Sequence, residues 1–103
     1  KNEVLQKALS FYLNEVITDN RPLIGIYKAI EVIAKSLGNR KLEVGYEKLA
    51  VLCAKPKTYV KELQETAQVA RHAISDARRH FDDDEAKRRA KLLIYAYANS
   101  LGI

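Results

Sequence analysis

Residues 22 to 37, reading Pro-Leu-Ile-Gly-Ile-Tyr-Lys-Ala-Ile-Glu-Val-Ile-Ala-Lys-Ser-Leu, constrain the fold of this chain more than any other stretch. Leu23, Ile26, Tyr27, Ile30, Ile33, Ala34 and Leu37 recur at the three-and-four spacing that puts side chains on one face of an α-helix. Lys28, Glu31 and Lys35 fall on the far side, with Glu31 and Lys35 spaced for an i,i+4 ion pair. Ile24 and Val32 add apolar character off the stripe, so the helix is expected at the centre of the fold or in an interface. Pro22 suits a first helical turn, where its missing N–H is not wanted. Gly38-Asn39 is expected to end the helix, with the glycine taking the left-handed conformation.

The rest of the chain reads as partners for that helix. Residues 2–19 form a first helix with a stripe of Leu5, Leu9, Tyr12, Leu13 and Val16, widened by Val4, Ala8 and Phe11. A shorter helix is predicted from Val44 to Ala54, with Leu49, Ala50, Leu52 and Cys53 available for burial. Lys55-Pro56-Lys57 interrupts it, because a residue before proline is pushed out of helical geometry. Thr58 is expected to cap the next helix, which runs through Val60, Leu63, Ala67, Val69 and Ala70. Asp82 with Glu85 three residues on marks the start of a last helix, and Asp83 and Asp84 complement its dipole. Ala86, Ala90, Leu93, Tyr97 and Leu101 are its buried stripe, closed by Gly102. No strand-like alternation or internal repeat appears, and the expectation is an all-α, single-domain bundle of about five helices over residues 1–103.

Composition narrows the function classes. With 103 residues, 48% of them apolar, the chain can bury a core without staples. Cys53 is the only cysteine, which excludes an internal disulfide and a cysteine zinc cluster and points to a reducing, cytoplasmic setting. No apolar run approaches the length of a membrane span. The absence of Met points to an excised domain or a processed chain of a larger protein. The net charge of +5 is concentrated in residues 39–61, where six cations face only Glu43 and Glu47, a distribution compatible with a nucleic-acid partner.

Chemistry-bearing residues gather between Ala70 and His80, which hold both histidines and three arginines. Taken as helix, this stretch places Arg71, His72, Ser75, Asp76, Arg78 and Arg79 on one arc and Ala70, Ala73, Ile74, Ala77 and Phe81 on the other, with His80 at the border. Three features together resemble the HEPN superfamily of small helical RNA- and nucleotide-associated domains, in the variety found among prokaryotic abortive-infection and defence proteins. They are Ile26-Tyr27-Lys28-Ala29-Ile30-Glu31-Val32-Ile33 on an early long helix, the Ala70-Arg71-His72-Ala73 turn, and the acidic cap Asp82-Asp83-Asp84-Glu85-Ala86. The resemblance covers about residues 22 to 101. It implies an RNA- or nucleotide-associated, self-associating module, with Arg71, His72, Arg78, Arg79 and His80 as its phosphate-binding site and His72 and His80 as candidate catalytic groups.

Catalytic members of that superfamily carry an Arg and, after four to six intervening residues, a His at the entry to the last helix. The pair suits metal-independent RNA cleavage: Arg holds the phosphate, and His, which changes charge near neutral pH, moves protons. This chain departs from the pattern. His80 would need an Arg at 73 to 75, where Ala, Ile and Ser stand, and His72 would need one at 65 to 67, where Glu, Thr and Ala stand. The resemblance therefore implies a binding or dimerisation module more than a ribonuclease, with a homodimer expected through the Pro22–Leu37 helix and no cofactor.

Two other readings stay open. Residues 46–64 align with a helix-turn-helix: Ala50 takes the small inward position, Ala54 the turn position usually held by Gly, and Val60 and Leu63 the buried positions of the second helix. Lys55, Lys57, Thr58, Tyr59 and Lys61 would then meet DNA. Alternatively, the arginines are a solvated face and the domain is a purely structural interaction module. His72, Asp76 and His80 fall at i, i+4 and i+8, but a straight helix spreads the outer pair over about 12 Å, so no metal site is expected. Cys53, on an apolar face, reads as a small buried hydrophobe.

Overall fold

The computed structural model describes residues 3–16, 22–72 and 80–102. Among these the chain is all-α, with five helices and no strand: α1 (Glu3–Phe11), α2 (Pro22–Leu37), α3 (Leu42–Leu52), α4 (Lys57–His72) and α5 (Asp83–Ser100). A π-helical turn, Tyr12–Val16, follows α1 directly. None of the described helices is long and apolar enough to cross a membrane.

The bundle is organised around α2, against which each of the other four helices packs. Leu23, Ile26, Tyr27, Ile30, Ile33 and Ala34 are all buried, together with Ala29, while Leu37 and the off-stripe Ile24 and Val32 are half-buried. Leu5 and Ala8 of α1, Tyr46, Leu49 and Ala50 of α3, Val60, Leu63 and Ala67 of α4, and Ala86, Ala90, Leu93, Ile94 and Tyr97 of α5 complete the core.

Several local expectations need correction. The buried side of α1 runs through Leu5 and Ala8 to the half-buried Phe11 and Tyr12, leaving Leu9 and Leu13 outside, Leu13 at 53% exposure. The apolar stripe was wide enough to be buried at either margin, and the π turn, with its i→i+5 bonding, rotates Leu13 outward. In α3, Leu52 is exposed and Tyr46 is buried instead, and Leu101 is likewise exposed at the end of α5. Helix α4 begins at Lys57, so Thr58 lies inside its first turn and is not the cap. Gly38 is not the left-handed residue after α2; Asn39 (φ 53°) and Arg40 (φ 74°) are. Gly38 is needed for space, since a Cβ there would collide with the Lys41 carbonyl and the Gly45 backbone.

The cap of α5 agrees with the sequence. Asp82 Oδ1 accepts a hydrogen bond from the Glu85 N–H at 3.0 Å. Gly102 then closes the helix at φ 77°.

Candidate functional site

His80 fixes the geometry of the histidine-bearing region. Its backbone N–H donates to Thr66 Oγ1 at 2.9 Å, and its Nε2 lies 2.6 Å from Glu65 Oε1. In a continuous straight helix, residues 66 and 80 would stand about 21 Å apart. His80 therefore does not continue α4 as one straight helix, and residues 73–79, on which the one-arc reading of Arg71 to Arg79 depends, lie outside the described residues. Helix α4 ends at His72, about 9 Å along the axis from Thr66. The side chains of Arg71 and His72 lie outside the described residues, as do Asp76, Arg78 and Arg79.

What His80 can do follows from its partner. A carboxylate only accepts hydrogen bonds, so pairing with ionised Glu65 places the hydrogen on Nε2 and leaves Nδ1 as the atom that could take a proton. The imidazole is mostly shielded, at 23% exposure, with the Phe81 ring at 6.4 Å. The described arginines near the start of α5 are committed elsewhere. Arg88 forms a two-pronged pair with Glu85 at 2.9 and 2.6 Å, and Arg89 reaches Glu85 at 2.9 Å. Glu85 is held down to about pKa 2 by the Arg88 hydrogen bonds first and the Arg89 bond second.

Arg89 was invisible to sequence reasoning. Its guanidinium lies 4.4 Å from the Tyr59 ring centroid and 4.3 Å from that of Phe81, and it also donates to the Tyr59 carbonyl and to Glu62 at 3.2 Å. Only 17% of its side chain is exposed. The i,i+4 spacing of Glu85 and Arg89 signalled the ion pair, but nothing local signalled the contacts with residues some thirty positions earlier.

At the α3–α4 turn, the helix-turn-helix alignment and the lysines give opposite messages. Ala54 takes φ 56°, the left-handed backbone that favours glycine, at the turn position the alignment assigned to glycine. Yet Lys57 bridges Glu43 and Glu47, each at 3.1 Å, and Lys61 also binds Glu43. Those pairs lower the Glu43 pKa, chiefly through the Lys61 and then the Lys57 hydrogen bond. Tyr59 is packed by Arg89 and by Lys55, whose ammonium lies 5.3 Å from the ring centroid, and its hydroxyl is buried with no hydrogen-bond partner among the described residues. Thr58 and Lys55 are exposed. The carboxylates of α3 therefore compete directly with phosphate for two of the five residues that would meet DNA.

Cys53 is half-buried, and burial pushes its thiol pKa up, which suits the packing role read from the sequence. Among the described residues no group of three or more His, Cys, Asp or Glu side chains is placed to hold a metal ion. No protein-family model matches this chain, and no curated protein or solved structure is significantly similar to it.

Proposed function

We propose that the chain is an HEPN-like helical module that associates with RNA or nucleotides and with itself, as a binding part of a prokaryotic defence or regulatory protein, and that it is not an active ribonuclease. One observation supports this reading: His80 meets Thr66 and Glu65, so the entry to α5 lies against the C-terminal half of α4, the helix that carries Arg71 and His72. In the resembled domains, that entry is where phosphate is held. The engagement of His80 by Glu65 and the lack of an Arg preceding either histidine with four to six residues between them argue for binding without cleavage.

Binding of a fluorescent single-stranded RNA across a salt series tests this. The wild-type chain should bind, weaken steeply as salt rises, and lose at least about tenfold in affinity in Arg71→Ala/Arg78→Ala, each lost phosphate contact lowering the salt slope by about one. Equal binding by wild type and variant overturns the assignment, and RNA cleavage that disappears in His80→Ala overturns the non-catalytic part. Light scattering reads the self-association; a monomer at high concentration overturns it. The helix-turn-helix reading is favoured by Ala54 alone. For it to prevail, duplex DNA would have to be preferred over RNA, with loss confined to Lys57→Ala/Lys61→Ala.

A further inference from the structure

Helix α5 carries an exposed tyrosine between two apolar grooves. On one side, a groove of about 270 Å³ is lined by Leu9 of α1, Tyr12 and Leu13 of the π turn, and Lys91, Ile94 and Tyr95 of α5. On the other, a groove of about 560 Å³ lies between the end of α3, with Leu52 and Cys53, and α5, with Leu92, Tyr95 and Ala96. Tyr95 lines both, so the two form one apolar track across α5. Leu13 and Tyr95 are 53% and 57% exposed, and Leu9 and Leu52 are exposed too. Single exposed apolar residues are ordinary, but a contiguous set drawn from α1, α3 and α5 marks an interaction surface.

Shape and charge select the occupant. Concave grooves receive inserted side chains, unlike an apolar face that sinks into a lipid surface. The walls offer few polar groups: Asn99 and Ser100 line the second groove, and Ser100 Oγ already donates to the Tyr97 carbonyl at 2.6 Å. An extended peptide would bring backbone N–H and C=O groups that these walls cannot satisfy, whereas a helix satisfies its own. Apolar side chains three and four residues apart on a helix fit on either side of Tyr95, as helix ridges interlock with grooves. Lys91 is the one charged residue among the described residues lining the two grooves. Its ammonium lies 5.7 Å from the Tyr95 ring centroid and has no carboxylate partner among the described residues. Lys55, exposed just beyond Ala54, adds a second cation at the end of α3. In a two-fold pair of this face the cations of one copy would meet those of the other. A helix with carboxylates beside its apolar stripe meets the same rim with opposite charge.

We propose that this track docks an acidic amphipathic helix of a partner protein, whose apolar side chains fill the grooves on either side of Tyr95 and whose carboxylates meet Lys91 and Lys55. The surface uses none of the residues between Arg71 and His80 and stands or falls separately from them.

Two displayed libraries of helices, each about 18 residues long so that the helix holds, test the proposal on the full chain. Both carry one apolar stripe varied among Leu, Ile and Phe; one is flanked by Glu and the other by Lys. The acidic library should yield binders and the basic one none. Affinity for the selected peptides should fall about tenfold or more in Leu13→Ser/Tyr95→Ser, about threefold in Lys91→Ala, and not at all in Arg71→Ala/Arg78→Ala. Leu13 and Tyr95 are more than half exposed, so the double variant keeps the fold, which thermal melting checks. Bound peptide should also slow alkylation by iodoacetamide of Cys53, the only thiol, which lines the second groove. No binder from the acidic library, a preference for the basic one, or equal binding by wild type and the double variant overturns the proposal. A wild-type dimer that the double variant dissociates assigns the face to a second copy. Binding to vesicles of phosphatidylcholine and phosphatidylserine that the double variant abolishes assigns it to a lipid surface. Either result overturns the partner helix.

Discussion

Where α2 meets α3 the contact is made by backbone and apolar side chains; where α4 meets α5 it is rimmed by charge. At the first seam Gly45 lies so close to Ala34 that a Cβ would collide with the Ala34 carbonyl, and Gly38 is crowded by Gly45 in turn. At the second, Arg89 ties α5 to α4 through Glu62, the Tyr59 carbonyl and two aromatic rings, while His80 N–H binds the fully buried Thr66. The first seam tolerates no added atom but depends on no charge. The second depends on charge and on hydrogen-bond geometry.

The largest expected effect comes from breaking the first seam. Gly45→Ala would ordinarily favour a helix by about 1 kcal/mol, but here the added methyl meets backbone, which cannot rotate aside. The collision dominates, and we expect a net loss of at least about 2 kcal/mol. For a domain of this size that lowers the melting temperature by roughly 10 °C. A melting temperature at or above that of wild type would show that α2 and α3 can separate without penalty.

The second seam should yield less and show a different pattern. Arg89→Ala removes charge-assisted hydrogen bonds and two cation–π contacts from a mostly shielded site, with an expected cost of about 2 kcal/mol or slightly under. Arg89→Lys keeps the charge but not the planar fork, so it should recover less than half of the loss. Chemical denaturation of the two variants measures both. Full recovery by lysine would mean that charge alone holds α4 to α5.

The same contrast explains what was legible in the sequence. The stripe of α2 was readable because burial on one face leaves a 3.6-residue period in the chain, and the Asp82 cap because its bond spans three residues. The choice between the two margins of the α1 stripe was not readable, since both margins are apolar and the partner helix decides in favour of Leu5 and Ala8 over Leu9 and Leu13. Leu52 and Leu101, both exposed, stand at the C-terminal ends of their helices, where an apolar period continues beyond the packed face. At the candidate site, residue types gave the histidines but not the contact that His80 makes with Thr66, fourteen residues away. The sequence shows Glu43 and Glu47 as charges in the same segment as Lys57 and Lys61 but does not show that the turn brings them together as partners. Arg89 drew no notice because its role exists only once Tyr59 and Phe81 have been brought to it.

Acid offers the gentlest way to separate the seams. Glu85 has a pKa of about 2 in the folded chain, against an ordinary value of 4.5, because Arg88 and Arg89 hydrogen-bond its ionised form. A group whose pKa is lowered on folding adds stability above its ordinary pKa and withdraws it as pH falls through the folded value. The contribution is therefore intact near neutrality and fades between about pH 5 and pH 2. Because the Glu85 side chain remains 28% exposed and its charge is screened by solvent, the effect on global stability should be the smallest of the three. It should nevertheless be local: amide exchange in the first turns of α5 should quicken as pH falls across that window, beyond the intrinsic pH dependence of exchange, while the α2–α3 amides hold their protection. Glu85→Gln should flatten the response in α5. Equal acid loosening at Gly45 and at the start of α5 would place the acid-sensitive carboxylates elsewhere in the bundle and remove the distinction between a seam held by packing and one held by charge.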